Sequence, residues 1–246
     1  MQHRQAQQEV PTYAALVQGL AHRGLLSPEW RKVWDVVPRA DYLPQAVWRQ
    51  LPDRCEPVIG TDDRAALVHS DEPVVTQLDD GIEGGPGIAT SSNSMPSMAA
   101  RMLGLLGVED GHRVLEIGTG TGHIAALLCE RLGEEQVHSV ELDPVLAQQA
   151  ADHLARAGYR PHLHVGDGEE RIPGVDPVDR LAATTATGEA VWQYGPGLMW
   201  EEIETAWREY ERLGSPDPGQ FGLSVTDRGQ QMWLREPHAV IEARRG

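Results

Sequence analysis

Gly118, Gly120 and Gly122 fall in a GxGxG spacing, directly after the short apolar run Val114 to Ile117 and before an alanine- and leucine-rich stretch. A second apolar run, Val137 to Val140, ends in Glu141. Glycines in such a place let the backbone turn tightly and lie against a ligand where a Cβ would collide. A carboxylate at the tip of the next strand can accept both hydroxyls of a ribose. The spacing is not the GxGxxG that sets a pyrophosphate on a helix N-terminus, a difference that bears on the ligand, although dinucleotide and nucleoside sites both use such an acid. Gly166-Asp167-Gly168 supplies a second acid, which fits the adenine end of such a site and equally fits a plain Asp-Gly turn. Ser94, before Met95-Pro96, offers a hydroxyl that either caps a helix or faces a substrate; Ser91 and Ser92 stand in the same run.

These residues need a strand, loop, helix, strand unit to hold them, which implies an α/β fold with a parallel sheet. Residues 113–143 carry that unit. Pro144 to Gly158 reads as the next helix and His162 to Val165 as a third strand. Met98, Met102, Leu105 and Leu106 form the apolar stripe of a helix that starts near Ser94 as N-cap. Upstream, Leu16 and Leu20, then Trp30, Val33, Trp34 and Val37, recur at helical spacing, with a break at Gly24 and a restart at Ser27-Pro28. The helix ends before Pro38, and Tyr42-Leu43-Pro44 is expected to be extended. Residues 51–93 read as a long, mostly irregular, substrate-facing loop with short extended pieces at Leu67 to His69 and Val74 to Gln77.

With 246 residues the chain can bury a sizeable core, and 40% hydrophobic with 24% charged residues is the balance of a soluble globular protein. A net charge of −16 argues against nucleic acid as a partner and leaves a basic peptide or a small neutral cofactor unopposed. Cys55 and Cys129 lack metal-ligand spacing and suggest a reducing compartment. The polar, Gln-rich start has no signal-like apolar region and no run approaches a membrane span, so a cytoplasmic location is expected, with no membrane partner and no metal.

VLEIGTGTG, with Glu116 before its first glycine, resembles motif I of the class I S-adenosylmethionine-dependent methyltransferases. Val37-Pro38-Arg39, the Ser94-Met95-Pro96 helix start, Gly166-Asp167-Gly168 and Val178-Asp179-Arg180-Leu181 together resemble the protein-L-isoaspartate O-methyltransferase branch. That resemblance implies S-adenosylmethionine as cofactor. It places Glu116, Gly118, Gly120 and Gly122 at its amino-acid part, Glu141 on the ribose, Asp167 and Gly168 on the adenine side, and Ser94 toward the substrate carboxylate.

The resemblance implies a Rossmann-like class I methyltransferase sheet with N-terminal helices and a small C-terminal α+β extension. The sheet reads as incomplete after strand four. The family's sheet has seven strands, and past Thr187 the chain passes instead to a helix over Leu198 to Leu213 and a hairpin, Phe221 to Thr226 with Gln231 to Leu234, through Asp227-Arg228-Gly229. The expected domains are 1–93, N-terminal helices and substrate-facing loop; 94–187, cofactor-binding; and 188–246, helix-hairpin extension. The extension resembles that of longer actinobacterial-type members tied to tailoring of ribosomally made peptides. The expected activity is methylation of an aspartyl or isoaspartyl carboxylate of a peptide, ending in a succinimide (aspartimide). Repair of damaged proteins, or a catalytically impaired peptide- or cofactor-binding homologue, are the alternatives.

Overall fold

The computed structural model describes residues 11–168, the backbone of five later strands, and positions 172, 175 and 212. It forms two compact units, Met1–Pro196 and Gly197–Gly246.

The first unit opens with two helices at the expected places. In α1 (Tyr13–His22), Thr12 caps by accepting from Ala15 N. In α2 (Pro28–Val36), Ser27 accepts from Trp30 N and Pro28 fills the first turn. A 3-10 turn, Arg39–Tyr42, follows; the extended conformation expected from Tyr42 therefore begins only at Leu43, because Asp41 N and Leu43 N close turns onto Pro38 O and Ala40 O.

Residues 48–93 are not a mostly irregular loop. They hold β1 (Trp48–Gln50), β2 (Cys55–Pro57), α3 (Thr61–Val68), β3 (Val74–Leu78) and β4 (Ala89–Asn93), and the strands form an antiparallel sheet in the order β2-β1-β3-β4. Leu67 and Val68, expected in an extended piece, close α3, and His69 is its C-cap. The exposed Asp62 and Asp63 in the first turn favour the helix through its dipole, and Leu67 and Val68 at its apolar end are buried.

The larger sheet carries the expected crossover. After α4 (Pro96–Leu106) come β5 (Val114–Ile117), α5 (His123–Leu132), β6 (Val137–Glu141), α6 (Pro144–Ala157), β7 (His162–Val165), β8 (Arg180–Thr184) and β9 (Ala190–Tyr194). Their order is β7-β6-β5-β8-β9; the first four are parallel. Strand β9, absent from the sequence reading, runs antiparallel to β8, pairing Arg180 with Tyr194 and Thr184 with Ala190. One core joins Val17, Leu20, Trp30 and Trp34 of α1 and α2 to Leu103 and Leu106 of α4, Leu127 and Leu128 of α5, and Val114 and Val137 of the sheet. A smaller cluster of Leu43, Val47, Leu67, Val68 and Val74 lies under the antiparallel sheet.

The second unit contains β10 (Phe221–Thr226), β11 (Gly229–Leu234) and β12 (Val240–Arg244) in one antiparallel sheet; the expected hairpin is present, but Gly229, expected in its turn, pairs with Thr226 and opens the second strand two residues before Gln231. Apart from Arg212, the helix expected over Leu198 to Leu213 lies outside the described residues. Among the described residues no helix is long and apolar enough to cross a membrane.

Candidate cofactor and substrate site

At the carboxyl end of β5 the chain leaves the sheet through Gly118-Thr119-Gly120-Thr121-Gly122. Gly118 N and Thr119 N both donate to Val140 O, at 2.9 and 3.2 Å, so the loop is bound to β6 as it starts. Gly120 N donates to Glu141 Oε2 at 2.8 Å, and Asp143 N donates to Glu141 Oε1 at 3.2 Å. The Glu141 carboxylate, 9% exposed, is thereby aimed between the glycine loop and the start of α6. Gly122 has φ +83°, and a Cβ there would meet Leu154 at 3.2 Å and Ala150 O at 3.3 Å, so both backbone angle and α6 exclude a larger residue. Gly166 N donates to Glu141 O at 2.9 Å, which brings the exposed Asp167 to the neighbouring strand end. At Gly168 a Cβ would lie 2.4 Å from Ile117 Cγ2, so this backbone passes directly over the end of β5.

Glu116 is in a different environment. It is 2% exposed and sits within β5, on the face that carries Val114. Ser139 Oγ donates to Glu116 Oε2 at 2.5 Å, and Thr119 Oγ1 meets Ser139 Oγ at 2.6 Å. Burial pushes the Glu116 carboxyl up to about 8, the Ser139 hydrogen bond opposes this, and the Glu141 charge adds to it. Its carboxyl therefore supports the loop from beneath through two hydroxyls.

The loop is also held from the N-terminal side. His123, the first residue of α5, is buried, with Nε2 3.3 Å from Val37 O and its ring against Trp34 and Tyr42. Burial pushes it down to about 3; the Val37 carbonyl opposes the shift and Arg39 reinforces it, so the ring is neutral. Tyr13 Oη donates to Trp34 O and Val37 O, at 2.6 and 2.8 Å. Across the loop, Asn93 Nδ2 donates to Thr121 Oγ1 at 3.0 Å in a buried bond. A Cβ on Gly120 would stand 3.8 Å from Ser91 Oγ and 3.9 Å from Ser92 O, so β4 lies alongside the loop.

Ser94 is half-buried at the turn between β4 and α4 and does not cap the helix. The N-cap is Met95, whose side chain makes no capping bond; Asp71 Oδ1 accepts from Ser97 N at 2.7 Å, while Asp71 Oδ2 pairs with Arg23 Nη1 at 2.6 Å. Pro96 places the first turn one residue later than a Ser94 cap requires, and a distant carboxylate takes the orphan donor. Asp71→Ala is accordingly expected to cost about 1–2 kcal/mol in denaturant unfolding, mostly from the lost cap. Ser94→Ala should stay within about 0.5 kcal/mol of the parent. Equal losses in the two variants would contradict this assignment.

Arg39 is the residue whose role the sequence did not disclose. It is fully buried, and its guanidinium donates only to main-chain carbonyls: Nε to Val68 O at 2.8 Å, Nη2 to Leu67 O at 3.2 Å, and Nη1 and Nη2 to Glu72 O at 3.1 and 3.0 Å. Nη1 also reaches Ser94 O at 3.4 Å. Burial lowers it to about 10, with Asp71, Tyr13 and Glu72 opposing the shift. Arg39 and Asp71 thus grip the Ser94-Met95-Pro96 turn from both sides. The Pro-Arg dipeptide was the only signal for the first, and nothing local marked the second.

The family model for protein-L-isoaspartate(D-aspartate) O-methyltransferase matches residues 12–193. The chain belongs to this family. Protein-L-isoaspartate O-methyltransferase of Opitutus terrae is 35% identical over 152 residues, 61% of this chain and 61% of that protein. The Thermococcus onnurineus protein of the same name is 42% identical over 151 residues, 55% of this chain and 63% of its own length. A solved protein-L-isoaspartate O-methyltransferase structure, 27% identical, superposes with a TM-score of 0.54 over 70% of this chain and 48% of its own. The chain thus spans about three-fifths of the length of these two curated relatives. The family match covers the glycine loop, Glu141, Asp167, Gly168 and the Ser94 turn, and leaves the second unit, Gly197–Gly246, outside it.

Proposed function

We propose that the chain binds S-adenosylmethionine and methylates an aspartyl or isoaspartyl side-chain carboxylate of a peptide. The observation that carries the reading is the Glu141 carboxylate held by Gly120 N and Asp143 N at the mouth of a positive-φ glycine loop, in a family-matched stretch. The residues fit that cofactor. Glu141 keeps lone pairs for a ribose diol, the positive φ of Gly118, Gly120 and Gly122 bends the loop tightly at the strand end, and Gly168 passes directly over Ile117 at the end of β5.

When bound, S-adenosylmethionine supplies a sulfonium-activated methyl group, which a carboxylate oxygen takes without any proton transfer. The chain's task is then placement and exclusion of water, an orientation effect of several kcal/mol. Gly118, Gly120 and Gly122 shape the loop, Glu116 supports it from below, Asp167 lies on the adenine side, and Ser94 offers its hydroxyl to the substrate carboxylate. The methyl ester formed closes to a succinimide without further help from the protein.

Within this reading we favour tailoring of a ribosomally made peptide to an aspartimide, because an additional compact unit follows the family-matched region. Repair of isoaspartate agrees with the names of the relatives. The antiparallel β9, beside β8 where the family's sheet runs on, favours a second reading in which cofactor or peptide is held without turnover.

Mass spectrometry with S-adenosylmethionine on an isoaspartyl peptide and on a cyclised Asp-containing precursor peptide decides among these. Gain of a methyl group followed by loss of methanol is expected, on the precursor for tailoring and on the isoaspartyl peptide for repair. No gain on either, with S-adenosylhomocysteine still bound, selects the second reading. Glu141→Gln should weaken S-adenosylhomocysteine about tenfold to hundredfold by calorimetry, since an amide cannot accept from both Gly120 N and Asp143 N and also serve a diol. Unchanged affinity in that variant would remove Glu141 from the site.

A further inference from the structure

Gln77 stands at a doubly irregular point of β3. The register with β4 shifts on both sides of it, between Val75 and Gln77 and again between Gln77 and Leu78. Such irregularities re-aim a side chain, and here the amide points out of the small sheet toward the start of α6. Gln77 Nε2 donates to Asp143 Oδ2 at 2.7 Å, and Gln77 Oε1 accepts from Thr90 Oγ1 at 3.0 Å. The amide can only be oriented this way, because a carboxylate needs a donor.

Both ends of this clamp continue. Thr90 Oγ1 accepts from Asp80 N at 3.0 Å, in the β3–β4 turn where Asp79 and Asp80 hold positive φ and Asp79 accepts from Gly87 N and Ile88 N. Asp143 gives its two oxygens different tasks: Oδ1 caps α6 through Val145 N and Leu146 N, and Oδ2 takes Gln77. Its carboxyl lies below the usual range, the Gln77 bond being the largest cause. Asp143 N in turn donates to Glu141 Oε1, whose partner oxygen holds Gly120 N. An unbroken polar chain therefore runs from the tip of the β3–β4 hairpin to the carboxylate and the glycine loop.

We infer that Gln77 is a positioning residue that latches the β3–β4 hairpin to Glu141, so that occupation of the cofactor loop and engagement of a peptide at the hairpin favour each other. The coupling half of this inference rests on the cofactor and peptide reading above; the latch itself does not. Linkage makes the effect reciprocal: whatever factor the cofactor adds to peptide affinity, the peptide adds to cofactor affinity.

Two measurements test it on the full chain. In the ligand-free protein, Gln77→Leu should speed hydrogen exchange at Asp80, Gly87 and Ile88 about tenfold or more, with the unfolding midpoint near the parent's. Thr90→Val, which cuts only the hairpin end of the clamp, should do the same while leaving the amides of Val145 and Leu146 protected. In the second, a fluorescent hexapeptide with one L-isoaspartyl residue is titrated with and without S-adenosylhomocysteine. The parent should show at least a roughly fivefold mutual gain, and Gln77→Leu a factor near one. Unchanged exchange in Gln77→Leu overturns the latch whatever Thr90→Val shows, since Thr90 is itself the acceptor of Asp80 N, and equal coupling in parent and Gln77→Leu overturns its role in linkage. Failure of the parent to bind S-adenosylhomocysteine would sink the functional reading, and the exchange result would still judge the latch.

Discussion

Arg39→Met should lower the free energy of unfolding by about 4 kcal/mol, a large fraction of what holds a domain of ordinary stability together. The methionine fills much of the space but donates nothing, leaving the carbonyls of Leu67, Val68 and Glu72 without their arginine donors in a buried place. Two of these are the last carbonyls of α3, where a cation also opposes the negative end of the helix dipole. Lysine recovers only part of the loss, since an ammonium has three donors and no planar fork. Urea unfolding followed by circular dichroism measures this; a loss below about 1 kcal/mol in the methionine variant would show that water or relaxation replaces the guanidinium.

The second large effect is in the pH dependence of stability. The folded-state carboxyl of Glu116 lies near 8 against an ordinary 4.5, so between these values the unfolded chain has released a proton that the folded chain keeps. The unfolded state then binds fewer protons, and stability falls as pH rises. The contribution is fully present below about 4.5 and is lost on passing 8, for a total on the order of 4 kcal/mol. Glu116→Gln keeps an oxygen for the Ser139 hydroxyl and removes the titration. Relative to the parent, the variant should therefore gain stability steadily from pH 5 to pH 8. Other titrating groups cancel in that difference, so a constant gap across the range would mean that Glu116 is ionised in the folded protein.

The glycine-loop half of the proposed site was legible because its chemistry is local. Three glycines, two apolar runs and an acid within residues 113–143 are enough to specify strand, loop, helix and strand, and the parallel pairing of β5 with β6 follows. The half proposed to face a substrate was not, because its order comes from distant partners. Strands of three residues at 48–50 and 55–57 are too short to show an alternating pattern, and α3 begins after Gly60 without a side-chain cap. Ser94 looked like a cap because serine usually is one; the real acceptor for Ser97 N is Asp71, 26 residues away. Glu116 was expected beside the cofactor and Arg39 only marked a motif; their burial, at 2% and 0% exposed, shows each supporting backbone or loop from within. Strand β9 was missed although Gly188 lies between Thr184 and Ala190, because the stretch from Ala190 to Tyr194 reads as the approach to the helix expected over Leu198 to Leu213.

The joint core has a consequence for synthesis. The apolar faces of α1 and α2, including Trp30 and Trp34, find their cover on α4, α5 and the sheet, whose residues begin at Pro96 and extend past Val137. A nascent chain must therefore carry these tryptophans uncovered until α5 has emerged from the ribosome, and β5 waits longer still for β8 on its second side. Only the small cluster under the antiparallel sheet can be buried earlier. During that interval the N-terminal helices are the part of the protein that a chaperone has most reason to hold.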